Sequence, residues 1–543
     1  MSHSTRKSAS GRLLSGALIL VPAALLSKLV GLFYKIPLVA IVGVGGMAYF
    51  LAAYHVYSFL FVLCATGLST ALSLLVARAA ATGQRGAVGR VLRVSLVVFL
   101  IIGFAGTSLL LCFAPWLAER LSMREATASL LAVAPSLFLS ALIGAVKGYF
   151  QGLGNMLPTA VSEALEALGK LVFGLLLATW AQKRALSTDR VAACAILGIT
   201  AGLALAALVM LVWLVIDRLL RRKREQGLSP TNAHKFPVLR PLLRESLPIT
   251  LGASVVSLVA LLDTALISAR LQAAGFSLSA AHTMYSGYGN LAVPLYNLVP
   301  ALLGPLVLSL TPLLGASFAA GEQGSAAEAF GSARRITLLI ALPATLGFAV
   351  FAGPILQMIY GTSQSAVSLA TPLLTLLSLA VLPTAYNALT AAALQAAGKP
   401  QLPMLSTLCG IVVKLLVEWF LLAEPSVHIF AAPIGTLLCH LTVLILQSIA
   451  LRRTMPFACP LAREAFSLLL CSALSIGGGV ALSLALSPWQ ATWRWRFLPP
   501  LALVAVLYPA LVLCLGVLRK EDLYAMPLGR RICPILERCK LLK

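Results

Sequence analysis

Charged residues are scarce in this chain. They make up 11% of its 543 residues, and only 17 residues are acidic, whereas 60% are hydrophobic. A water-soluble domain needs a charged surface, so this composition excludes one. A mean hydropathy of +0.96 is typical of a polytopic helical membrane protein instead.

Catalytic and metal-binding motifs are missing as well. The ten cysteines form no CxxC or Cys/His pattern, and the chain has no nucleotide P-loop, H-E-x-x-H or G-x-S-x-G motif. The predicted outer loops are too short for a catalytic domain, which argues against a membrane glycosyltransferase or polymerase. We therefore expect neither an enzyme nor a cofactor, and coupling to Na⁺ or H⁺ stays open.

Basic residues are distributed to one side of the predicted membrane. The chain has 41 Lys and Arg and a net charge of +24. With the N-terminus inside, 28 of these residues fall in cytoplasmic segments and eight in outer loops. Such asymmetry follows the positive-inside rule and gives no basic face for nucleic acid. We predict a multi-pass protein of a bacterial cytoplasmic membrane with both termini in the cytoplasm.

Apolar runs between charged breaks predict fourteen membrane-spanning helices. The first follows the N-terminus directly and is too long for the apolar region of a cleavable signal peptide. The approximate ranges are 13–41, 48–76, 91–113, 127–151, 157–181, 192–216, 247–269, 286–315, 335–358, 366–396, 401–423, 429–450, 465–487 and 497–518.

An internal repeat relates the two halves. The stretch YFQGLGNMLPTAVSEALEALGKLVFG in the first half corresponds to ALQAAGKPQLPMLSTLCGIVVKLLVEWF in the second. Three pairs share an offset of 244, namely Gln151 and Gln395, Gly154 and Gly398, and Lys170 and Lys414. Parallel repeats of six spans are typical of alternating-access transporters, with substrate held between the halves.

The predicted fold is therefore all-α, with two six-helix bundles in pseudo-twofold relation and two extra C-terminal helices. We assign the N-terminal bundle to 1–216, a basic cytoplasmic linker to 217–246, the C-terminal bundle to 247–450, and the two additional helices with a basic tail to 451–543.

Three segments resemble a known transporter group. They are LLSKLVGLFYKIPLVAIVGVGGMAYFLAAYHVYSFLFVLCATGLSTALSLLVA (25–77), GYFQGLGNMLPTAVSEALE (148–166) and NLAVPLYNLVPALLGPLVLSLTPLLGAS (290–317). Their order and spacing resemble the multidrug/oligosaccharidyl-lipid/polysaccharide exporter superfamily. Within it, the chain looks like the stage V sporulation protein B branch, which is involved in polysaccharide biosynthesis and is related to the lipid II flippase MurJ.

The resemblance implies an alternating-access flippase or exporter for a lipid-linked oligosaccharide or peptidoglycan precursor, such as lipid II. Its partners would be a lipid-linked pyrophosphate glycan and membrane lipids, and we expect a monomer. The flippase carries basic residues in its first span, which Lys28 and Lys35 match closely, the second one position late. It also uses arginines in spans two and seven. This chain has none inside span two, and Arg270 lies at the end of span seven.

Nine ionisable groups lie inside the predicted spans, where a charge is unfavourable unless it faces a polar cavity or a partner. Lys28, Gly31 and Lys35 share one helical face by their spacing of i, i+3, i+7. Snorkelling of Lys35 to the interface stays open. We predict substrate binding by Lys28, Lys35, Lys170, Lys414 and Asn297, with Gly31 as a gating position.

The acidic residues of the spans are candidates for ion coupling or ion pairing. Glu163, Glu166 and Lys170 share a face of span five, and Glu166 precedes Lys170 at the favourable i+4 spacing. Lys414 and Glu418 repeat that spacing in span eleven, and Asp263 lies alone in span seven. Glu163 has no local partner along its helix. Structural ion pairing remains the alternative for the paired residues. For Lys147, near the cytoplasmic end of span four, the expectation is that the side chain snorkels to the interface.

Span eight contains four prolines, which bend a membrane helix and free its carbonyls. Asn290 and Asn297 would share one face by their i, i+7 spacing. A bent, polar-faced helix suggests a gate, for which Pro294 and Pro300 are the candidates.

Two further functional classes remain open. A cation-coupled multidrug exporter of the same superfamily would have an acidic, aromatic cavity, but five lysines against four acids in the spans and 7% aromatic residues favour an anionic lipid substrate. A structural membrane protein would instead have fully paired charges in its spans.

Overall fold

The computed structural model describes residues 30–31, 34–81, 85–225, 237–361, 364–455, 462–486 and 493–516, and these residues are helices joined by short turns. Helices suit this sequence because lipid offers no hydrogen bonds, so each span must satisfy its backbone internally. The described residues form two compact units that divide between Ser286 and Gly287.

The first unit begins with α1, the helical residues 34–42. The helices that follow are α2 Gly46–Phe61, α3 Gly67–Ala81, α4 Arg85–Arg120, α5 Thr127–Val133, α6 Pro135–Gly152, α7 Leu157–Lys183, α8 Thr188–Glu225, α9 Leu239–Ala273 and α10 Leu278–Ser286. A π-helical turn, Val62–Thr66, joins α2 to α3 within one long helix.

The second unit begins with a π-helical turn, Gly287–Ala292. Its helices are α11 Val293–Tyr296, α12 Leu298–Ala319, α13 Gln323–Tyr360, α14 Gln364–Ser378, α15 Val381–Ala396, α16 Gln401–Leu421, α17 Ala431–Thr454, α18 Ala462–Leu486 and α19 Trp493–Cys514.

The described residues contain eleven helices long and apolar enough to span a membrane, or twelve if the bent pair α14–α15 is one span. These twelve coincide with twelve of the predicted spans, extended by several residues at most ends. The first predicted span lies mostly outside the described residues, and the eighth is interrupted. The all-helical fold is thus confirmed, while the count of fourteen stays a prediction.

The packing boundary differs from the boundary of the sequence repeat. Helix α9 packs along α2 and α3 in the first unit, and Thr250 of α9 fits against Gly67 of α3 so closely that a Cβ there would lie 2.0 Å from the threonine hydroxyl. Arg78 and Glu245 form an ion pair between the same two helices. The packing units divide at Ser286 and Gly287, whereas the repeat domains were predicted to be joined by a linker at 217–246. The repeat domains therefore remain a prediction.

Glycines allow a close approach of two helix backbones between α7 and α8. A Cβ on Gly169 would lie 2.5 Å from the Cα of Gly202, and a Cβ on Gly198 would lie 2.3 Å from the Cα of Gly174. Small residues at matching turns let two helix backbones touch, as is common in membrane bundles. This contact fixes the position of α7, which carries Glu163, Glu166 and Lys170.

The turn before α7 has a counterpart before α16. Gly154 and Gly398 both have φ +76°, and in each turn the glycine amide bonds the carbonyl three residues back, that of Gln151 or Gln395. The following helices begin at Leu157 and Gln401, again 244 residues apart. The same offset in sequence and in turn geometry supports the repeat.

The eighth predicted span breaks where its prolines lie. Pro294 occupies the first turn of α11, and Pro300 the first turn of α12, where a missing amide is tolerated. The π-helical turn precedes α11, and Asn297 separates α11 from α12. The structure shows this segment interrupted where the prolines lie, and its bend stays a prediction. Its role as a gate is a proposal.

Candidate functional site

A small polar cavity lies in the first unit beside α7. Its volume is about 40 Å³, room for roughly three water-sized spheres. A Cβ added to Gly31 would meet nothing within 4 Å, so this side of the first helix leaves open space. The lining residues are Val30, Gly31, Tyr34, Glu166, Ala167 and Lys170.

Two tyrosine rings hold the Lys170 side chain. Its Nζ lies 5.6 Å from the ring centre of Tyr34 and 5.3 Å from that of Tyr54, both within the range of cation–π attraction. Among the ion pairs of the described residues, none includes Lys170. The ammonium is therefore stabilised by ring faces, which leave its charge in place.

The Tyr34 ring is fixed in position. Its hydroxyl donates to the Ala195 carbonyl of α8 at 3.0 Å, and only 1% of the residue is exposed. Gly174 makes the space, because a Cβ there would lie 2.4 Å from that hydroxyl. Tyr54 is positioned by Phe50, whose ring stacks on it at 6.5 Å between centroids. Residues of four helices, α1, α2, α7 and α8, thus hold the two rings in place.

Lys35 adds a second positive charge to this region. It lies one turn beyond Gly31 on α1, within electrostatic range of Lys170. Two like charges repel in a medium of low dielectric constant, so an anion between them is stabilised. The arrangement suits an anionic group, for which an ammonium is a compact donor.

Glu163 has a partner that spacing along its own helix did not reveal. Lys147 Nζ on α6 lies 3.8 Å from Glu163 Oε1 on α7. Glu163 is therefore paired with a neighbouring helix and not along its own, and Lys147 is paired instead of simply snorkelling. The side chains are 16% and 32% exposed, so the pair remains partly hydrated.

The second unit contains the repeat-related lysine in a different setting. Lys414 Nζ lies 3.7 Å from Glu418 Oε1, one turn further along α16, and the two side chains are 9% and 0% exposed. Gly435 of α17 packs against both, since a Cβ there would lie 3.3 Å from Lys414 Cγ and 3.1 Å from Glu418 Cγ. The predicted pairing of these residues is confirmed.

The two asparagines of span eight do not share a face. Asn290 is completely buried within the π-helical turn, whereas Asn297 is exposed at the break between α11 and α12. The expectation of one polar face assumed a continuous α-helix. A π-turn adds a residue and the break resets the register, so the i, i+7 rule fails here.

The family model for the lipid II flippase MurJ matches residues 38–504, which is most of the chain. This chain belongs to the lipid II flippase MurJ family. As a member of the family it is a transporter, not an enzyme, and a multi-pass protein of the bacterial cytoplasmic membrane.

Individual relatives agree with the MurJ family match. Stage V sporulation protein B of Bacillus subtilis (strain 168) is 24% identical over 96% of this chain and 98% of its own length. Lipid II flippase MurJ of the same organism is 24% identical over 75% of this chain and 77% of its own. The predicted superfamily and branch are thus confirmed.

Solved structures show the fold of this MurJ-family chain. An inward-facing multidrug resistance MATE family transporter of the MOP superfamily matches with a TM-score of 0.63 and 16% identity, covering 81% of this chain and 98% of that one. A MOP superfamily transporter from Pyrococcus furiosus matches with a TM-score of 0.57 at the same identity, covering 81% and 96%.

The predicted site residues are only partly brought together. Gly31 and Lys170 line the cavity with Glu166, and Lys35 is close by, whereas Lys28 lies outside the described residues. Asp263 is buried in α9. Lys414, Glu418, Asn297, Pro294 and Pro300 belong to the second unit.

Sequence reasoning missed several polar groups of this MurJ-family chain. Arg334 and Arg335 lie at the predicted start of span nine, but α13 begins eleven residues before Arg334 and buries both, with 4% and 7% exposed. A hydrogen-bonded trio, His55, Thr264 and Tyr285, joins α2, α9 and α10, with Thr264 Oγ1 2.8 Å from both partners. The continuous helical pattern from residue 323 was a usable signal for the arginines.

Proposed function

We propose that this MurJ-family protein flips a lipid-linked oligosaccharide or a peptidoglycan precursor resembling lipid II across the cytoplasmic membrane by alternating access. The observation that carries this proposal is the cavity of the first unit that Lys170 lines, with Lys35 within electrostatic range of that lysine. Ammonium groups inside spans are unfavourable unless they face a polar cavity or a partner, and an anionic substrate is such a partner.

The substrate group bound here is the pyrophosphate that links a glycan to its lipid. It carries negative charge to a place where two ammonium groups repel each other. Lys28 would extend this path, because its i, i+3, i+7 spacing with Gly31 and Lys35 predicts all three on one face of a helix with 1.5 Å rise per residue. The head group would then pass from one lysine to the next.

The proposal also includes the orientation of the protein in the membrane and the coupling of transport to an ion. Both termini face the cytoplasm, and the protein acts as a monomer. Glu163, Asp263 and the Lys414–Glu418 pair are the candidates for coupling to H⁺ or Na⁺. If Glu163 and Asp263 couple transport to an ion, their Gln and Asn variants fold but do not transport. Full transport by both variants would leave these acids a structural role only.

A multidrug exporter is the second candidate function. Glu166 favours it, because a carboxylate in the cavity suits a cationic drug. The two solved transporter structures are only 16% identical to this chain, so they show its fold alone. The MurJ family match and the lysines favour the anionic lipid substrate.

Complementation tests the proposal. The chain would be expressed in a strain depleted of its lipid II flippase and, separately, in a strain lacking stage V sporulation protein B. Growth in the first arm indicates a general precursor flippase, and spore formation in the second alone a sporulation role. Failure in both arms at normal membrane levels, together with drug resistance, would favour the multidrug exporter instead.

A further inference from the structure

The two repeat-related lysines occupy equivalent places in sequence. Each is the fourteenth residue of its helix, since α7 begins at Leu157 and α16 at Gln401. Each also follows the same left-handed glycine turn. Because the two lysines occupy equivalent positions on their helices, the side chains around Lys170 can be compared directly with those around Lys414.

The charge of Lys414 is compensated within the protein. Glu418 lies 3.7 Å from its ammonium, and neither side chain is more than 9% exposed. A carboxylate partner of this kind cancels the charge that an anionic ligand would need. Gly435 brings α17 against both side chains and leaves them little room to separate.

The charge of Lys170 is retained. Ring faces attract an ammonium through their quadrupole, so Tyr34 and Tyr54 stabilise it without adding a negative charge. Glu166 lies one turn before it on α7 and lines the same cavity. Lys170 makes no ion pair with Glu166 among the described residues, although the i, i+4 spacing would favour one.

We propose that Tyr34 and Tyr54 are positioning residues that hold Lys170 as the receptor for a phosphate-type anion, and that Lys414 binds no substrate. This inference rests on the proposed function for its lipid-linked substrate. The cavity of about 40 Å³ is small, so we place only the phosphate-type group of the substrate there. The ligand is thus the diphosphate end of the substrate, and the glycan lies elsewhere.

Binding measurements on the purified full-length protein test the inference, with a polyprenyl diphosphate and inorganic pyrophosphate as separate probes. We expect Lys170→Met to weaken diphosphate binding at least tenfold. Tyr54→Leu should weaken it about fivefold, whereas Tyr54→Phe, which keeps the ring face, should stay within twofold of wild type. Binding of the polyprenyl probe alone assigns the site to the lipid-linked form, and binding of both assigns it to diphosphate in general.

A rescue experiment separates this role from a structural one. In Tyr54→Leu the freed ammonium turns to Glu166, so adding Glu166→Gln should restore binding to within twofold of wild type. A merely structural defect would not be repaired by removing a neighbouring charge. The repeat-matched control is Lys414→Met with Glu418→Gln, which removes both charges of the buried pair and should bind normally.

The outcomes are decisive in either direction. Loss of binding in the Lys414→Met/Glu418→Gln protein, with its helical content intact, overturns the inference. So does normal binding by Tyr54→Leu, or failure of Glu166→Gln to rescue it. A wild-type protein that complements a flippase-depleted strain but binds neither diphosphate overturns the inference and leaves the proposed function standing. Failure to complement counts against the proposed function separately.

Discussion

At the scale of single residues, charge in the membrane is handled in three different ways. Lys147 pairs with a carboxylate from another helix, Lys414 with one from its own, and Lys170 with two aromatic rings. The first two arrangements neutralise a charge that lipid would reject. The third keeps the charge, so we propose Lys170 as the residue that binds the anionic group of the substrate.

Sequence alone could identify these charged residues but not their partners. The i, i+4 rule predicted the Lys414–Glu418 pair correctly, because both residues lie on one helix. It could not find Lys147 for Glu163 or Tyr54 for Lys170, because those contacts join different helices. Tyr34, beside Lys35, was visible in the sequence, yet its ring turns towards Lys170.

The first prediction concerns Lys28. Lys28→Ala should abolish flipping while membrane levels stay normal, because removing a charge from a predicted membrane span need not destabilise the fold. Lys28→Arg should retain part of the activity, and Lys28→Glu none. Complementation of a flippase-depleted strain measures the effect, with exposed Lys183→Ala as the matched control. Normal growth with Lys28→Ala would remove Lys28 from the substrate path.

The second prediction concerns the Lys147–Glu163 pair. A double-mutant cycle of Lys147→Met and Glu163→Gln should give a coupling energy of about 1 kcal/mol, because water partly screens the pair. Unfolding by denaturing detergent in mixed micelles would measure the free energies of the four proteins. Strictly additive effects would mean that the two side chains do not interact in the membrane.

At the scale of helices and turns, glycines and prolines define the geometry. Twelve predicted spans have their helices where apolar runs placed them, because hydropathy reports burial in lipid directly. Span eight could not be predicted in register. Its prolines indicated a bend, but a π-turn leaves no clear trace in hydropathy, so Asn290 and Asn297 were assigned to one face.

The third prediction concerns the paired turns. Gly154→Ala and Gly398→Ala should each destabilise the protein by about 1 kcal/mol, because a Cβ is strained at positive φ. Gly252→Ala in α9 is the control, since its Cβ would meet nothing within 4 Å. Thermal unfolding of purified protein measures the differences. Equal stability of all three variants would contradict the strain, and clearly different effects of Gly154→Ala and Gly398→Ala would contradict the equivalence of the turns.

The fourth prediction concerns the contact between α7 and α8. A Cβ on Gly202 would lie 2.7 Å from the Lys170 amide nitrogen and 2.9 Å from the Glu166 carbonyl oxygen. These are backbone atoms, so Gly202→Ala should force the helices apart, lower the unfolding temperature and impair transport. Gly347→Ala in α13, with open space around it, should do neither. Unchanged transport by Gly202→Ala would show that the position of Lys170 is not critical.

At the scale of the whole molecule, composition and charge distribution determine the class of protein. The apolar helices and the MurJ family match make it a multi-pass transporter. Its orientation follows from the loop charges alone and is a fifth prediction. In a protein without its native cysteines, Glu225→Cys should react with a membrane-impermeant thiol reagent only after cells are opened, and Ser187→Cys in intact cells. The reverse pattern would invert the topology.

The measurement that tests the central claim most directly follows the substrate itself. Cells depleted of their own lipid II flippase would express this chain, and a membrane-impermeant enzyme that cleaves lipid II would be added outside. The account predicts that lipid II becomes cleavable with the wild-type chain and stays protected with Lys170→Met at equal membrane levels. Lipid II that stays protected with the wild-type chain, or becomes equally cleavable with Lys170→Met, would contradict it.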